Sequence, residues 1–197
     1  MSTEFKSCNI VLFPSAAVEQ QAIEWSKNVS KCFKTRYVLD DQTYHPHITL
    51  YQAHYPTNSI EKVQAVLAEI TKKVPQFEIT MHNLSALSGF IFYDATKSTE
   101  ILDLHHTVIE ALNPLREGIL TAADRQILAD PRVPEKFKQN IQHYAYAFAK
   151  ESYTASEHHA PGGLSGSRGS TKAFTGQSYD LYRPRIALDQ CRRRWHV

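Results

Sequence analysis

Tyr44-His45-Pro46-His47-Ile48-Thr49-Leu50-Tyr51 is the stretch that most limits what this chain can become. Its aromatic and β-branched residues favour a strand, and Pro46 suits a strand's beginning. Side chains alternate across a strand, so His45, His47 and Thr49 are expected on one face and Ile48 and Leu50 on the other. The apolar face asks for a core behind it. The polar face then shows two imidazoles and a hydroxyl on a rigid support. Histidine titrates near neutral pH and can give or take a proton. A hydroxyl two residues on can bond a phosphate oxygen that the imidazole also reaches. His47 and Thr49 are therefore the catalytic candidates, with His45, Tyr44 and Tyr51 as candidate substrate contacts. The bland alternative is an edge strand with incidental histidines.

The flanking chain alternates strand and helix signals. Cys8 to Phe13 is a short apolar run ending at Pro14, consistent with a buried strand. Ser15 can cap a helix whose stripe is Val18, Ala22, Trp25 and Val29. Arg36 to Leu39 reads as a strand that enters the histidine stretch through an Asp40-Asp41 turn. Asn58 or Ser59 can cap a helix striped by Ile60, Val63, Leu67, Ile70 and Val74, with Pro75 just beyond it. Phe77, Ile79 and Met81 alternate with polar residues as a half-buried strand, and Phe90 to Tyr93 is its expected antiparallel neighbour. Ser98 or Thr99 starts a helix striped by Ile101, Leu104, Val108, Ala111 and Leu115. Ala122 to Pro134 reads as a polar connection broken by prolines. Pro134 then opens a helix carrying Phe137, Ile141, Tyr144 and Phe148. Two β-helix-β passages followed by more strand and helix predict an α+β domain with an antiparallel sheet. At 197 residues the chain suits one domain with a real core.

His47-Ile48-Thr49-Leu50 has the form His-x-Thr-apolar. With its Tyr-x-Pro lead-in it resembles the first signature of the 2H phosphoesterase superfamily, and among its members the bacterial 2′-5′ RNA ligase-like proteins. The resemblance runs from about Cys8 to about Tyr153. It implies a two-lobed, pseudo-symmetric domain of small antiparallel sheets backed by helices. Each lobe of such a protein carries one His-x-Thr, and the histidines face each other across a groove. It also implies metal-free chemistry, with no cofactor, on 2′,3′-cyclic phosphates or 2′-5′ linkages of RNA or nucleotides. One histidine acts as base and the other as acid, while the hydroxyls hold the non-bridging oxygens. His105-His106-Thr107-Val108 matches the same form, but it lies in a helical period where residues two apart diverge. It is expected on a helix surface.

The second signature is missing as written or degenerate. Residues 1–153 read as the 2H-like domain, and 154–197 as an irregular segment holding five of the seven glycines. His158 and His159 fall where the second motif is due, but they are adjacent and lack a following hydroxyl. Either is a possible second acid/base if the segment folds back. Tyr182 to Gln190, laid over Tyr44 to Gln52, matches at Tyr, Pro, Ile, Leu and Gln, with Arg185 for His47 and Ala187 for Thr49. A decayed motif, chance similarity and a disrupted reading frame all fit that stretch. Arg185 can bind a phosphate bidentately but stays charged, so it is no acid or base near neutrality. Impaired turnover is the expectation, and the alternative is a non-catalytic binder of RNA ends or nucleotides.

A formal charge of +2 with ten histidines rules against bulk nucleic-acid binding and leaves RNA ends or cyclic nucleotides as local partners. Cys8, Cys32 and Cys191 form no metal motif or disulfide framework, which fits a reducing cytoplasm. The run Ile10 to Phe13 is too short for a signal peptide or membrane span. No membrane and no obligatory protein partner are expected. His45-x-His47 also resembles a metal pair on a strand, but such sites need further ligands, and Thr49 favours phosphoester chemistry.

Overall fold

The computed structural model describes residues 4–87, 90–154, 156–159 and 185–190. The elements run β1 (Phe5–Phe13), α1 (Ala16–Cys32), β2 (Ile48–Pro56), α2 (Ile60–Lys73), β3 (Met81–Leu87), β4 (Phe90–Ala95), α3 (Thr99–Leu112), α4 (Ala122–Ala129), α5 (Glu135–Tyr144), β5 (Ser156–His159) and β6 (Arg185–Gln190). The fold is α+β, as the sequence pattern predicts. The strands pair in the order β3-β4-β5-β2-β1-β6, and every pairing is antiparallel. Two three-stranded halves meet where β5 joins β2 at a single pair, Ile48 with Glu157.

The periodic stripes become the core. Val63, Leu67 and Ile70 of α2 and Ile101, Leu104 and Val108 of α3 are buried with Ile10, Leu12, Ile48 and Leu50 of the sheet in one cluster. Val11, between Ile10 and Leu12, is buried outside that cluster, as are Val18 and Ala22 of α1 and Leu39. Both faces of β1 are therefore covered, as alternation in a central strand requires. Burying these aliphatic side chains is worth about 1.5–3 kcal/mol each before ordering costs.

Several sequence expectations are corrected. β2 starts at Ile48, so His45 and His47 lie in its extended lead-in. Residues 36–39 form no strand; Leu39 instead donates its N–H to Ser26 Oγ of α1. Met81, not Phe77, opens β3, although Phe77, Ile79 and Met81 are all buried in the predicted alternation. Residues 122–129, expected as a broken connection, form α4. Its start is fixed by a capping box in which Thr121 Oγ1 accepts from Asp124 N–H and the Asp124 carboxylate accepts from Thr121 N–H. α5 ends at Tyr144, before Phe148. The segment 154–197 contributes β5 and β6 to the sheet.

The largest correction concerns His105. It sits on the α3 helix as expected, but on its buried face, with no exposed surface. The reason is arithmetic: Ile101, Leu104, His105 and Val108 are the i, i+3, i+4, i+7 set of one stripe. Both ring nitrogens are used. Nδ1–H donates to the Leu50 carbonyl at 2.7 Å, and Nε2 accepts the Lys150 N–H at 2.9 Å. The ring also stacks on Tyr153 at 3.9 Å.

Burial pulls the His105 pKa down from 6.5 to about 4. The unfolded chain therefore binds this proton first. Stability from neutral His105 is complete above pH 6.5 and is lost as pH falls toward about 4. That loss amounts to roughly 3 kcal/mol. Urea unfolding from pH 7.5 to 4, beside His105→Gln, should show this steepness in the parent only; equal slopes would remove His105 as the cause.

Candidate functional site

The β1–β2 ladder breaks once. Ile10 pairs with Tyr51 and Val11 with Thr49, so Leu50 has no partner on β1. This is a β-bulge, with two residues of β2 opposite one of β1. It resets the alternation. Thr49, opposite Val11, keeps to the face of Val11 and Asn9, while Tyr51, opposite Ile10, turns to the core face. An unbroken strand would have left Tyr51 beside Thr49.

On the Thr49 face, side chains from β1, β2 and the lead-in to β2 converge. Asn9 Nδ2 lies 3.3 Å from His47 Nε2 and 3.3 Å from Thr49 Oγ1. His47 Nδ1 lies 2.8 Å from the His45 carbonyl, which can only accept, so Nδ1 carries the proton. Nε2 is then the lone-pair nitrogen, and the amide of Asn9 donates to it and to Thr49. Asn9 and Thr49 are buried, and His47 is half-buried. The Thr49 carbonyl accepts from Tyr153 O–H at 3.1 Å, which ties the strand to the His105 stack. Asn9 was not among the sequence candidates. Its signal was there: a lone amide inside the apolar run Cys8-Asn9-Ile10-Val11-Leu12-Phe13. A buried amide needs a partner, and here the partners are His47 and Thr49.

The other candidates are placed as follows. His45 stands 3.6 Å from Glu19 of α1 and meets Phe13 edge-on. Tyr44 is exposed and stacks on Tyr37 at 4.8 Å. The turn before it is held by Asp40, whose carboxylate accepts from the N–H groups of Thr43, Tyr44 and Gln42 and is thereby kept below its usual pKa. Tyr51 is fully buried, with its hydroxyl 2.8 Å from the Tyr144 carbonyl and 3.1 Å from Asn113 Oδ1. The bulge thus turns Tyr51 away from Thr49 and into the core.

The late-chain candidates are placed by register. Glu157 lies opposite Ile48, so His158 holds the position beside His47, and His159 lies one residue beyond. β6 flanks β1 on the side away from β2. Across β1, Ile186 and Ile48 both pair with Leu12, and Ala187 and Thr49 both pair with Val11. The likeness of Arg185–Gln190 to His47–Gln52 thus has an equal register at Ile186 and Ala187 and loses it at the bulge, where Leu188 pairs with Ile10 opposite Tyr51. Arg185, opposite Phe13, stands two strand spacings from the His47 segment, about 10 Å.

Among the described residues no group of three His, Cys, Asp or Glu could hold a metal ion. A cleft of about 650 Å³ lies between α2 and α3, lined by Val66, Ile70, Phe77, Leu104 and Thr107 among others. It is on the opposite side of the sheet from Asn9 and Thr49, and takes no part in this site. No helix among the described residues is long and apolar enough to cross a membrane.

Tyr51→Phe should lower stability by about 0.5–1.5 kcal/mol in urea unfolding, because it removes the hydrogen bond to the Tyr144 carbonyl. The resonances of Asn9 and the His47 ring should stay unchanged in nuclear magnetic resonance; a large shift would put Tyr51 back in the site. Compared with known protein families, residues 16–132 match the family described as the 2'-5' RNA ligase superfamily, more than half of the chain. No curated protein matches the chain.

Proposed function

This chain belongs to the 2'-5' RNA ligase superfamily, within the 2H phosphoesterases, and from that premise we propose that it acts on 2′,3′-cyclic phosphates of nucleotides or RNA ends. One observation carries the reading. Asn9 holds an imidazole and a hydroxyl, those of His47 and Thr49, each 3.3 Å from its amide nitrogen, so the two are fixed side by side on one face. That is the geometry needed to hold a phosphate oxygen while a proton is taken beside it.

His47 acts as base. Once the Asn9 N–H gives up its place on Nε2, that nitrogen takes a proton from water, the water oxygen bonds to phosphorus, and the bond to one ribose oxygen breaks. Thr49 donates to a non-bridging oxygen, where charge grows. The leaving oxygen needs a proton from a second group, and His158 is the choice. Register supports it, since Glu157 opposite Ile48 brings His158 level with His47. The groove of the two-lobed arrangement would then run where β2 meets β5. His45 and Tyr44 border the entrance, and Arg185 is a further phosphate contact. Cysteine use supports a cytoplasmic setting: Cys8 is buried, with its thiol pushed up to about 11 by burial, and Cys32 is a free exposed thiol.

The runner-up is a non-catalytic binder of RNA ends or nucleotides. The observation favouring it is that Arg185 and Ala187 occupy on β6 the positions that correspond to His47 and Thr49, where a fixed charge can hold phosphate but transfer no proton.

Hydrolysis of a nucleoside 2′,3′-cyclic phosphate, with chelator present, tests the choice. His47→Ala and His158→Ala should each cost about 10²–10⁴ in rate. His159→Ala should stay near the parent. No turnover in the parent, with cyclic-nucleotide binding that His47→Ala abolishes, would select the binder instead.

A further inference from the structure

Asn9 is buried at the centre of β1, and its amide has two ends with different fates. Nδ2 donates to His47 Nε2 and to Thr49 Oγ1. Oδ1 is buried and has no hydrogen-bond partner among the described residues. A buried acceptor left open is unfavourable. The cost is set by the protonation state of His47. Neutral His47, protonated on Nδ1 toward the His45 carbonyl, presents a lone pair at Nε2 and requires a donor from Asn9. Protonated His47 presents an N–H there, and a donor would then face a donor.

We propose that the Asn9 amide turns over when His47 is protonated, and so couples the hydroxyl of Thr49 to the charge of His47. With His47 neutral, Asn9 donates to Thr49 Oγ1, and the Thr49 hydrogen is available to a phosphate oxygen. When Nε2 gains its proton, a half-turn about the Asn9 side chain brings Oδ1 to the shared point. Oδ1 then accepts from Nε2–H and from Thr49 O–H together. Oδ1 gains two donors, the amide nitrogen takes over its former buried position, and the Thr49 donor is withdrawn from the anion. Asn9 is thus a positioning residue. It holds the His47 ring in place, leaves the Thr49 hydrogen to the phosphate through bond making, and loosens the hold on the product anion that remains while His47 is still protonated. This deepens the phosphoesterase reading and rests on it for the identity of the anion.

Other titratable groups lie near and must be separated from His47. They are His45 with Glu19 of α1, Tyr153 beneath the Thr49 carbonyl, and, by register on β5, Glu157 and His158. Nuclear magnetic resonance on the whole chain resolves them, because each ring and the Asn9 amide are assigned individually. Above the His47 midpoint, Asn9 amide protons should show Overhauser contacts to the His47 ring. Below it those contacts should be lost, with the same midpoint. Contacts that persist while His47 titrates would overturn the coupling. Asn9→Asp, an acceptor at every pH, should raise the His47 midpoint by about one unit or more. If that variant does not fold, the parent titration still decides. No substrate is needed, so absent turnover sinks the phosphoesterase reading without touching the coupling, and turnover with a fixed amide does the reverse.

Discussion

The extra residue in β2 is the constraint on which the rest of the site depends. Leu50 has no partner on β1, and its carbonyl is taken by His105 Nδ1–H instead. A carbonyl freed by a bulge and buried in a core must find a donor. α3 supplies one from inside its apolar stripe, where a histidine is tolerated because the Lys150 N–H satisfies its second nitrogen. Tyr153 stacks on that ring and bonds the next carbonyl back, at Thr49. The bulge, the buried histidine and the tyrosine thus form one unit, and residues far apart in the chain fix the position of Thr49.

Its consequence is a division of labour along β2. Tyr51 is turned into the core and anchors the turn after α3 through Asn113. Thr49 stays on the polar face with Asn9 and His47. A sheet whose central strands are covered on both faces leaves little room for polar side chains, and Asn9 is bonded to both His47 and Thr49. Such a network is rigid for the same reason that it is costly to break. Rigidity is what an imidazole and a hydroxyl need if they are to meet one phosphate.

β6 shows how strongly one strand dictates its neighbours. Leu12 and Val11 of β1 pair with Ile48 and Thr49 on one side and with Ile186 and Ala187 on the other. An apolar alternation of the same phase can pair with the same strand in the same register, because a slip of one residue would turn every side chain to the wrong face. Sequence similarity between the two stretches is thereby explained in part by the common partner. It neither requires nor supplies a second histidine there.

The sequence by itself determined the helices with clear 3.6-residue stripes, the α+β class, the family signature and the pair His47 and Thr49 as the place to look. Those properties are local: periodicity and residue chemistry act within a few positions. It missed α4, whose Thr121-to-Asp124 cap is short and lies among polar residues. It offered Tyr51 as a substrate contact without its burial, and put His105 on the surface. Only the tertiary structure decided these, because a bulge exists only against a partner strand, and a helix face is buried only by what packs on it. Asn9 entered the site the same way. Its amide is forty residues from Thr49 in the chain, and only the β1–β2 register brings the two within a hydrogen bond.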